Sequence, residues 1–485
     1  MTGFLNAKIL FRYLFFSFLL TGTGCCSAGE KPANGPSEKG TQEITWNTAT
    51  AILDSIKPPV FPSDTFSIKD FGAIPDGFYD CTDAINSAIL TCHNDSGGTV
   101  IVPEGKYITG AIHLKSNVNL HLEKGAKLTF TGDRKKYLPL VHTRFEGMEC
   151  MNYSPFIYAY KQKNIAITGE GTLDGQGQLW WSWKGPWGGQ LDHKWQEGMP
   201  NQLDACNLLQ QMVEENLPYQ QRIFGEGYNL RPNFIQPHMC QQVLIEGITI
   251  TNSPMWVIHP VRCNNVIIQH ITIESLGPNN DGCNPECSRN VLIRNCYFNT
   301  GDDCIAIKSG RNNDGRRINI PSENIVIQQC TMKEGHGGIV IGSEISGNIR
   351  NIFAEDCFMD SPNLDRALRI KSNSMRGGIV ENIFLRNMEV AQVSEAAILI
   401  DLFYSNEKGN NIPVVRNIRV DNLTCKKSQY AIVIRAYKEQ PVTGLSITNS
   451  TFLNVTKGVK IENATDIHFE NSYIYDVKGS LVKVY

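Results

Sequence analysis

The sequence carries almost no excess charge of either sign. Its 485 residues include 45 lysines and arginines against 48 aspartates and glutamates, which gives a net charge of −3. This balance provides no general attraction to DNA, RNA or an anionic membrane surface, so no nucleic-acid partner is expected. An anionic ligand would have to be held by a few well-placed cations.

Long apolar segments are also missing. The most apolar run, residues 13–20, follows Lys8 and Arg12 and is too short to span a bilayer. This arrangement is typical of the core of a signal peptide. A hydrophobic fraction of 41% excludes both a disordered chain and a multi-span membrane protein. We therefore expect an exported globular protein that is periplasmic, attached to an outer membrane, or extracellular.

The segments of the chain follow from this interpretation. Residues 1–26 are predicted to be the signal peptide, and the small residues before Cys25 fit either lipid attachment at Cys25, with a membrane anchor, or plain secretion. Residues 27–60 are predicted to be a tether and N-terminal extension, rich in Gly, Pro and Ser at its start. Residues 61–485 are then one domain, expected to be a monomer.

The cysteines do not form a disulfide framework. Fifteen are present, and thirteen remain after Cys25 and Cys26, an odd number that cannot all pair. Cys296, Cys330 and Cys357 each fall six residues after an asparagine that opens a recurring phrase. We expect these thiols to be buried as small hydrophobic groups. No metal site and no cofactor are predicted.

The recurring phrase is the main organisational signal of the chain. Each copy alternates apolar and polar residues, and the copies are spaced by roughly 22 to 35 residues. The clearest copies are NVIIQHITI from Asn265, NVLIRNCYF from Asn290, NIVIQQCTM from Asn324, NIFAEDCFM from Asn351, NIFLRNMEV from Asn382 and NIRVDNLTC from Asn417.

Repeats of this kind predict an all-β fold, a single right-handed parallel β-helix in which each repeat forms one coil. The asparagines are expected at tight turns with a left-handed backbone. An N-terminal helix that contains Ala84, Ile85, Ala88 and Ile89 is predicted to cap the open end. Residues 176–233 interrupt the repeat with Trp180, Trp181, Trp183, Trp187 and a helix near 203–213, and are read as an insertion over one face.

Charged residues recur at one phase of adjacent repeats. Asp302, Asp303 and His336 fall at equivalent distances after their opening asparagines, and Asp281 and Arg369 follow slightly longer turns. We therefore expect Asp281, the Asp302–Asp303 pair, His336 and the Arg369–Lys371 pair on four consecutive coils, each before its next apolar strand. Three carboxylates, an imidazole and two cations on one sheet face would be costly as packing and repulsive as surface decoration, so they indicate a binding cleft.

At these residues the sequence resembles glycoside hydrolase family 28, the polygalacturonases. The motifs NND (279–281), GDD (301–303), GHG (335–337) and RIK (369–371) occur in the family's order, and FGAIPDGFYDCTDAI and KSGRNNDGRR are similar to its bacterial exo-acting branch. Asn280 and Asn284 stand where the family often has Thr and Asp, which bears on substrate preference.

The resemblance implies hydrolysis of α-1,4-galacturonosidic bonds in pectin with inversion. It implies that Asp302 is the acid, that Asp281 and Asp303 activate water, and that His336 orients the acid. It assigns the substrate carboxylate to Arg369 and Lys371, and adds Asn279 and Tyr404 as substrate-binding residues. The tryptophans of the insertion either close the cleft for exo action or form their own small core.

Other interpretations stay open at this point. A calcium-dependent pectate lyase shares the solenoid, and clustered aspartates can bind calcium. A rhamnogalacturonan hydrolase of the same family shares the paired acids, and a non-catalytic carbohydrate-binding solenoid would not need them. His259 and Arg311 lie near the cleft in phase, where a structural role is at least as well supported.

Overall fold

The computed structural model describes residues 43–186 and 195–481. In these residues it has four α-helices, α1 (Trp46–Ser55), α2 (Thr82–Asn94), α3 (Leu203–Glu214) and α4 (Asn312–Ile318). Short 3-10 segments lie at Ile68–Phe71, Arg134–Tyr137, Gly177–Leu179, Trp181–Lys184, Tyr219–Gln221 and Tyr404–Asn406. No helix in the described residues is long and apolar enough to cross a membrane.

Short strands make up most of the described chain. In the first half they are β1 (Thr65–Ser67), β2 (Asp76–Asp80), β3 (Gly98–Val102), β4 (Gly105–Thr109), β5 (Ile112–His113), β6 (Val118–Leu122), β7 (Ala126–Phe130), β8 (Val141–Phe145), β9 (Met148–Asn152), β10 (Ile157–Tyr160), β11 (Lys163–Gly169), β12 (Thr172–Asp174), β13 (Ile235–His238), β14 (Gln241–Glu246), β15 (Thr249–Thr251), β16 (Asn264–Gln269) and β17 (Thr272–Ser275).

The second half continues with β18 (Arg289–Arg294), β19 (Tyr297–Thr300), β20 (Ile305–Ile307), β21 (Ser322–Gln328), β22 (Thr331–Met332), β23 (Ile339–Gly342), β24 (Ile349–Glu355), β25 (Phe358–Asp360), β26 (Arg366–Lys371), β27 (Ile379–Gln392), β28 (Ala396–Asp401), β29 (Val414–Cys425), β30 (Ser428–Arg435), β31 (Val442–Thr448), β32 (Thr451–Glu462), β33 (Ala464–Glu470) and β34 (Tyr473–Asp476).

These strands form three parallel sheets that wind around one core, as predicted for a parallel β-helix. The first sheet runs from β1, β3, β6 and β11 through β16, β18, β21 and β24 to β33, and the second from β2, β4 and β7 through β17, β19, β22 and β25. The third sheet includes β5, β10, β13, β20, β23, β26, β28 and β30. Strand β27 continues from the first sheet into the second.

The register of the first sheet matches the repeated phrases. Val266 lies opposite Val291, Val291 opposite Ile325, and Ile325 opposite Ile352. All four side chains are fully buried in the main core. The period-two pattern therefore places one side chain of every coil at the same height in the interior.

Stacked side chains hold successive coils together. The six asparagines that open the phrases have φ between 53° and 62°, as predicted for left-handed turns. Their amides form a ladder in which Asn351 Nδ2 donates to Asn324 Oδ1 at 3.1 Å and Asn382 Nδ2 donates to Asn351 Oδ1 at 2.9 Å. Cys296, Cys330 and Cys357 are buried in the core, and the thirteen cysteines of the described residues are unpaired.

The open end of the coil stack is covered as predicted. Helix α2 places Ile85, Ala88 and Ile89, all fully buried, against the first coil. Asp80 Oδ1 accepts a hydrogen bond from the Thr82 backbone N–H at 3.0 Å at the start of this helix. The helix shields apolar surface that a solenoid would otherwise expose at its end.

Helix α1 was not foreseen within the predicted extension. It packs against the outside of the first sheet, where Ile52 and Ile56 meet a row of buried apolar residues that includes Leu292 and Phe353. The predicted signal peptide and the start of the tether, residues 1–42, lie outside the described residues.

Two segments outside the repeats lie against the third sheet. Strands β8 and β9 form an antiparallel hairpin, which the repeat pattern did not predict. The predicted insertion follows β12, and its helix α3 begins at the residue expected from the sequence. Ala205, Leu209 and Val213 of α3 pack with residues of the hairpin, so the two segments share a small apolar cluster.

Candidate active site

The turns between the second and third sheets bring the predicted acids together. Gly282 N–H donates to the Asp303 carbonyl at 2.9 Å, and His336 N–H donates to the Asp302 carbonyl at 3.2 Å. Asp281, the Asp302–Asp303 pair and His336 therefore occupy equivalent positions on three consecutive coils. Their side chains are close enough to influence one another's charge.

The predicted cations lie on the next coil, but their predicted position within that coil was wrong. Arg369 and Lys371 belong to strand β26 itself, opposite Val340 and Gly342, rather than to the turn before it. Because Gly335 pairs with Leu364, Asp365 lies at the position of His336, and Arg369 lies farther along the third sheet. The two cations still project to one side, because alternate residues of a strand share a face.

Both cations reach back to one carboxylate. Arg369 Nη1 lies 3.2 Å from Asp303 Oδ1, and Lys371 Nζ lies 2.6 Å from Asp303 Oδ2. Asp303 is fully buried. Burial raises the pKa of Asp303, but the charges of Lys371 and Arg369 outweigh it and hold the pKa below its usual value. Asp303 is therefore ionised over the ordinary working range of pH.

Asp302 is paired with the imidazole of His336. His336 Nδ1 lies 2.9 Å from Asp302 Oδ1, and the Asp303 backbone N–H donates to the same oxygen at 3.0 Å. The charge of Asp302 raises the pKa of His336 to about 9. Burial raises the pKa of Asp302, and the adjacent imidazolium more than compensates, so that pKa is low. The pair thus shares one dissociable proton at neutral pH.

Asp281 behaves differently from its two neighbours. Asn284 Nδ2 donates to Asp281 Oδ2 at 2.9 Å, and Lys308 Nζ lies 3.4 Å from the same oxygen. Burial raises the pKa of Asp281 to about 8, because the attraction of Lys308 offsets only part of the desolvation. Asp281 is therefore protonated at neutral pH, at which Asp303 is ionised. Asn284, one of the two departures from the family motif, supplies the amide that orients it.

Lys308 is a site residue that sequence reasoning missed. Its Nζ lies 3.1 Å from Glu344 Oε2 and 4.5 Å from the centre of the Trp256 ring. The pattern [IL]-x-I-K could have found it, since Lys308 follows Ile305–Ile307 as Lys371 follows strand residues 368–370. Ile307, Ile341 and Ile370 lie in register.

Two predicted substrate-binding residues border this cluster. The Tyr404 ring lies 5.0 Å from Lys371 Nζ and 5.5 Å from the Arg369 guanidinium carbon. Asn279 has a left-handed backbone with φ of 56°, and its Oδ1 accepts a hydrogen bond from Arg231 Nη2 at 2.7 Å. Arg231 comes from the end of the insertion, outside the repeats, so no repeat pattern connects it to Asn279.

The tryptophans of the insertion divide between the two predicted roles. Trp180 is fully buried and packs edge-on against Tyr137 at 5.3 Å, so it belongs to the core. Trp181 is half-buried, donates from Nε1 to the Ser253 carbonyl at 2.8 Å, and rests on Gly277. A Cβ at Gly277 would lie 2.2 Å from the Trp181 ring. Trp181 therefore covers the turn that leads to Asp281. Trp187 lies outside the described residues.

His259 and Arg311 make contacts typical of structural residues. His259 is fully buried, and its Nε2 lies 2.7 Å from Glu286 Oε2. Arg311 Nη1 lies 2.8 Å from Glu146 Oε2 at the tip of the β8–β9 hairpin. Both support the walls of the site.

The site therefore combines an ionised carboxylate, a protonated carboxyl and a carboxylate–imidazolium pair. General acid and base groups of opposite protonation state are what hydrolysis of a glycosidic bond needs. Two cations beside them can receive an anionic sugar, because Arg and Lys bind carboxylates through charge-assisted hydrogen bonds.

Comparison with known proteins agrees with this chemistry. The model of glycosyl hydrolases family 28 matches residues 224–473, and a model described as rhamnogalacturonase A/epimerase, pectate lyase-like, matches residues 65–135. A probable polygalacturonase of Vitis vinifera is 29% identical over 83% of this chain and 77% of its own length. An exo-poly-alpha-D-galacturonosidase of Dickeya chrysanthemi is 27% identical over 76% of this chain and 61% of its own length.

A solved structure is similar over nearly the whole chain. The hyperthermoactive exopolygalacturonase from Thermotoga maritima is 43% identical, with a TM-score of 0.86, over 91% of this chain and 97% of its own. The family model spans the coils that carry all four motifs. The chain therefore belongs to glycosyl hydrolases family 28.

Proposed function

We propose that this enzyme is an exo-acting polygalacturonase, a glycosidase that releases galacturonic acid from the non-reducing end of α-1,4-linked galacturonan in pectin with inversion. Family membership supports the reaction type, and the similarity to exo-acting relatives supports the mode of action. The substrate is a pectic polysaccharide or an oligogalacturonide.

The position of Arg369 and Lys371 carries the proposal. Both cations are almost fully buried and bind the carboxylate of Asp303. A galacturonate carboxylate that enters beside Tyr404 would compete for the same two cations. A chain with a net charge of −3 thus has positive charge concentrated where an acidic sugar would bind.

The leaving group receives its proton from the Asp302–His336 pair. Asp302 is the acid, and His336 Nδ1, 2.9 Å away, supplies the proton that Asp302 passes to the glycosidic oxygen. The imidazole therefore keeps an otherwise acidic carboxyl supplied with a proton at neutral pH. His336 does not need to act as a nucleophile.

The attacking water is activated by Asp303 and oriented by Asp281. Asp303 is the ionised member of the two, and its basicity rises when the substrate carboxylate draws Arg369 and Lys371 away. Asp281 holds a proton below its pKa of about 8 and fixes the water by hydrogen bonding. Asn279 and Tyr404 line the sugar subsite.

One digestion tests the mode of action. Polygalacturonate is incubated with the enzyme, and the products are separated over time. Monomer from the first time point is expected, whereas a ladder of oligomers would indicate endo action. An unsaturated, UV-absorbing product abolished by a chelator would indicate a lyase. In a parallel digestion of rhamnogalacturonan, release of products from that polymer alone would indicate the other hydrolase of the family.

The acid role has its own test. Asp302→Asn keeps the shape of the side chain but cannot donate the acid proton, so kcat should fall by about 10³-fold or more. Circular dichroism should show the wild-type β spectrum. Retention of more than about a tenth of wild-type kcat would contradict the assignment of Asp302.

We also propose that the enzyme is exported as a monomer, either with lipid attached at Cys25 or by plain secretion. The apolar run at residues 13–20 and Cys25 support this proposal. Labelling with a radioactive fatty acid, compared between wild type and Cys25→Ser, distinguishes a lipid anchor from plain secretion. Light scattering of the purified protein gives the oligomeric state.

A further inference from the structure

A second cluster of chemistry-bearing side chains lies apart from the proposed catalytic residues. His142 of β8, Glu149 of β9 and His238 of β13 each offer a ligand atom, and these atoms all lie within 4.8 Å of one another. The three residues are 8%, 3% and 0% exposed. The proposed hydrolysis uses none of them.

Both histidines leave a ring nitrogen buried without a hydrogen-bond partner. The unpartnered atoms are His142 Nε2 and His238 Nε2. His238 Nδ1 lies 3.2 Å from the His142 backbone carbonyl, which can only accept, so Nδ1 carries the proton and Nε2 carries a lone pair. Buried polar atoms normally find a partner, because leaving them unpaired is costly. An imidazole that donates one N–H to a carbonyl is arranged as metal-binding histidines are.

The distance between two of the ligand atoms matches the spacing around a small tetrahedral ion, and the third atom lies within 4.8 Å of both. His142 Nε2 lies 3.4 Å from Glu149 Oε1, longer than a good hydrogen bond. Zinc ligands about 2.0–2.2 Å from the ion in a tetrahedron are about 3.3–3.5 Å from each other. We propose that His142, Glu149 and His238 bind one Zn²⁺ ion, with one enclosed water molecule as the fourth ligand.

Three arginines lie near the ligand side chains: Arg317 and Arg262 contact Glu149, and the buried Arg144 is close enough to act on Glu149 and His238 through its charge. Arg317 Nη2 lies 2.8 Å from Glu149 Oε2 and thereby orients the carboxylate with its other oxygen, Oε1, toward the histidines. Arg262 Nη1 lies 3.6 Å from Oε1, and its side chain is 28% exposed, so it can turn toward solvent. The positive charge of Arg262 therefore lowers the affinity for zinc in its present position.

The site would clamp the β8–β9 hairpin to the third sheet. Two ligands come from the hairpin and one from β13. The tip of the hairpin accepts a hydrogen bond from the Arg311 N–H through the Gly147 carbonyl at 3.2 Å, beside Glu344. The Tyr219 ring stacks on His142 at 3.7 Å and covers the site from the insertion. Zinc would therefore stabilise the wall of the catalytic site without entering the reaction.

The test measures metal content and thermal stability of the full-length protein. The protein is treated with a chelator, dialysed and titrated with Zn²⁺ alone, with Mg²⁺ as a cation that imidazole binds poorly. We expect about one Zn²⁺ per chain and a Tm rise of about 3 °C at a hundredfold excess over Kd. Arg262→Gln should tighten zinc binding about three- to tenfold, because it removes a nearby charge.

Variants decide whether these three residues hold the ion. His142→Gln and His238→Gln should each abolish binding, and His468→Gln should not. His468 is a matched control, because its Nε2 also lies 3.4 Å from a glutamate oxygen, that of Glu470, but the pair is exposed. Absence of binding in the wild type, or binding that persists in both variants, would overturn the proposal. If a variant misfolds by circular dichroism, the affinity of Arg262→Gln decides: no gain overturns the site.

Discussion

Neighbouring residues of one type have different protonation states in this site, because each has different partners. Asp303 contacts two cations, Asp302 contacts an imidazole, and Asp281 has an amide and a more distant ammonium. Burial raises the pKa of all three, and the partners decide the result. The sequence predicts three carboxylates, but only the contacts distinguish them.

Lys371 offers a direct test of carboxylate recognition. In Lys371→Ala, hydrolysis of galacturonan should lose about 10- to 100-fold in kcat/KM, because one charge-assisted contact to the substrate disappears. Lys460→Ala removes an exposed lysine of β32 that pairs with Glu462 at 3.1 Å, and should match wild type. Unchanged galacturonan hydrolysis in Lys371→Ala would show that the cation has another role.

The decline of activity at alkaline pH should follow the loss of two protons from the site. His336 has its pKa raised to about 9 and Asp281 to about 8, so both are protonated near pH 6. We expect kcat/KM, which reports the free enzyme, to decline between about pH 8 and 9 as these protons leave. A profile that stays flat to pH 10 would contradict this interpretation.

The same histidine makes stability depend on pH. Its pKa is higher in the folded state, at about 9, than the ordinary value of 6.5. The contribution is therefore fully present below about pH 6.5 and lost as the pH rises through 9. The Tm of His336→Gln should be lowest relative to wild type near pH 6 and should converge with it by about pH 10. His270→Gln, at an exposed position, serves as control.

At the scale of elements, the repeats were predictable and the additions to them were not. The phrases that open with Asn290, Asn324 and Asn351 lie in register because period two and a fixed turn leave one way to bury their apolar residues. The β8–β9 hairpin, helix α1 and Arg231 are placed by contacts between distant segments, for which a single sequence has no periodic signal.

The insertion is predicted to set the mode of cleavage through Trp181. In Trp181→Ala, the cover over the turn before Asp281 is removed, so longer products should accompany the monomer in a polygalacturonate digest. Leu179→Ala changes an exposed residue of the same insertion and should leave the product pattern unchanged. A purely monomeric product in Trp181→Ala would assign the closed end of the cleft to other residues.

At the scale of the whole molecule, residues that are far apart in the sequence lie close together because successive coils stack on one another. Asp303 and Lys371 are separated by 68 residues yet their side-chain atoms lie 2.6 Å apart. The fold class, the capping helix and the four coils of the site followed from the sequence. The phase of Arg369 and Lys371 did not, because turn lengths between coils vary and only contacts fix where each strand begins.

The contact between helix α2 and the first coil should limit the stability of the whole domain. Ile85→Ala leaves a cavity between helix α2 and the first coil and should cost about 2–5 kcal/mol in the free energy of unfolding. Leu90→Ala alters the same helix at a position 48% exposed and should cost far less. Urea unfolding followed by circular dichroism measures both, and equal losses would show that the helix does not act as a cap.

The unpaired thiols of the core have a consequence for how the chain reaches its final form. In the unfolded chain these thiols are exposed to oxidants and to one another. Disulfide bonds between them would prevent the coils from folding. Once wound, Cys296, Cys330 and Cys357 are out of reach of solvent. We therefore expect folding of the coils to compete with oxidation, and the buried thiols of the core to be protected once folding is complete.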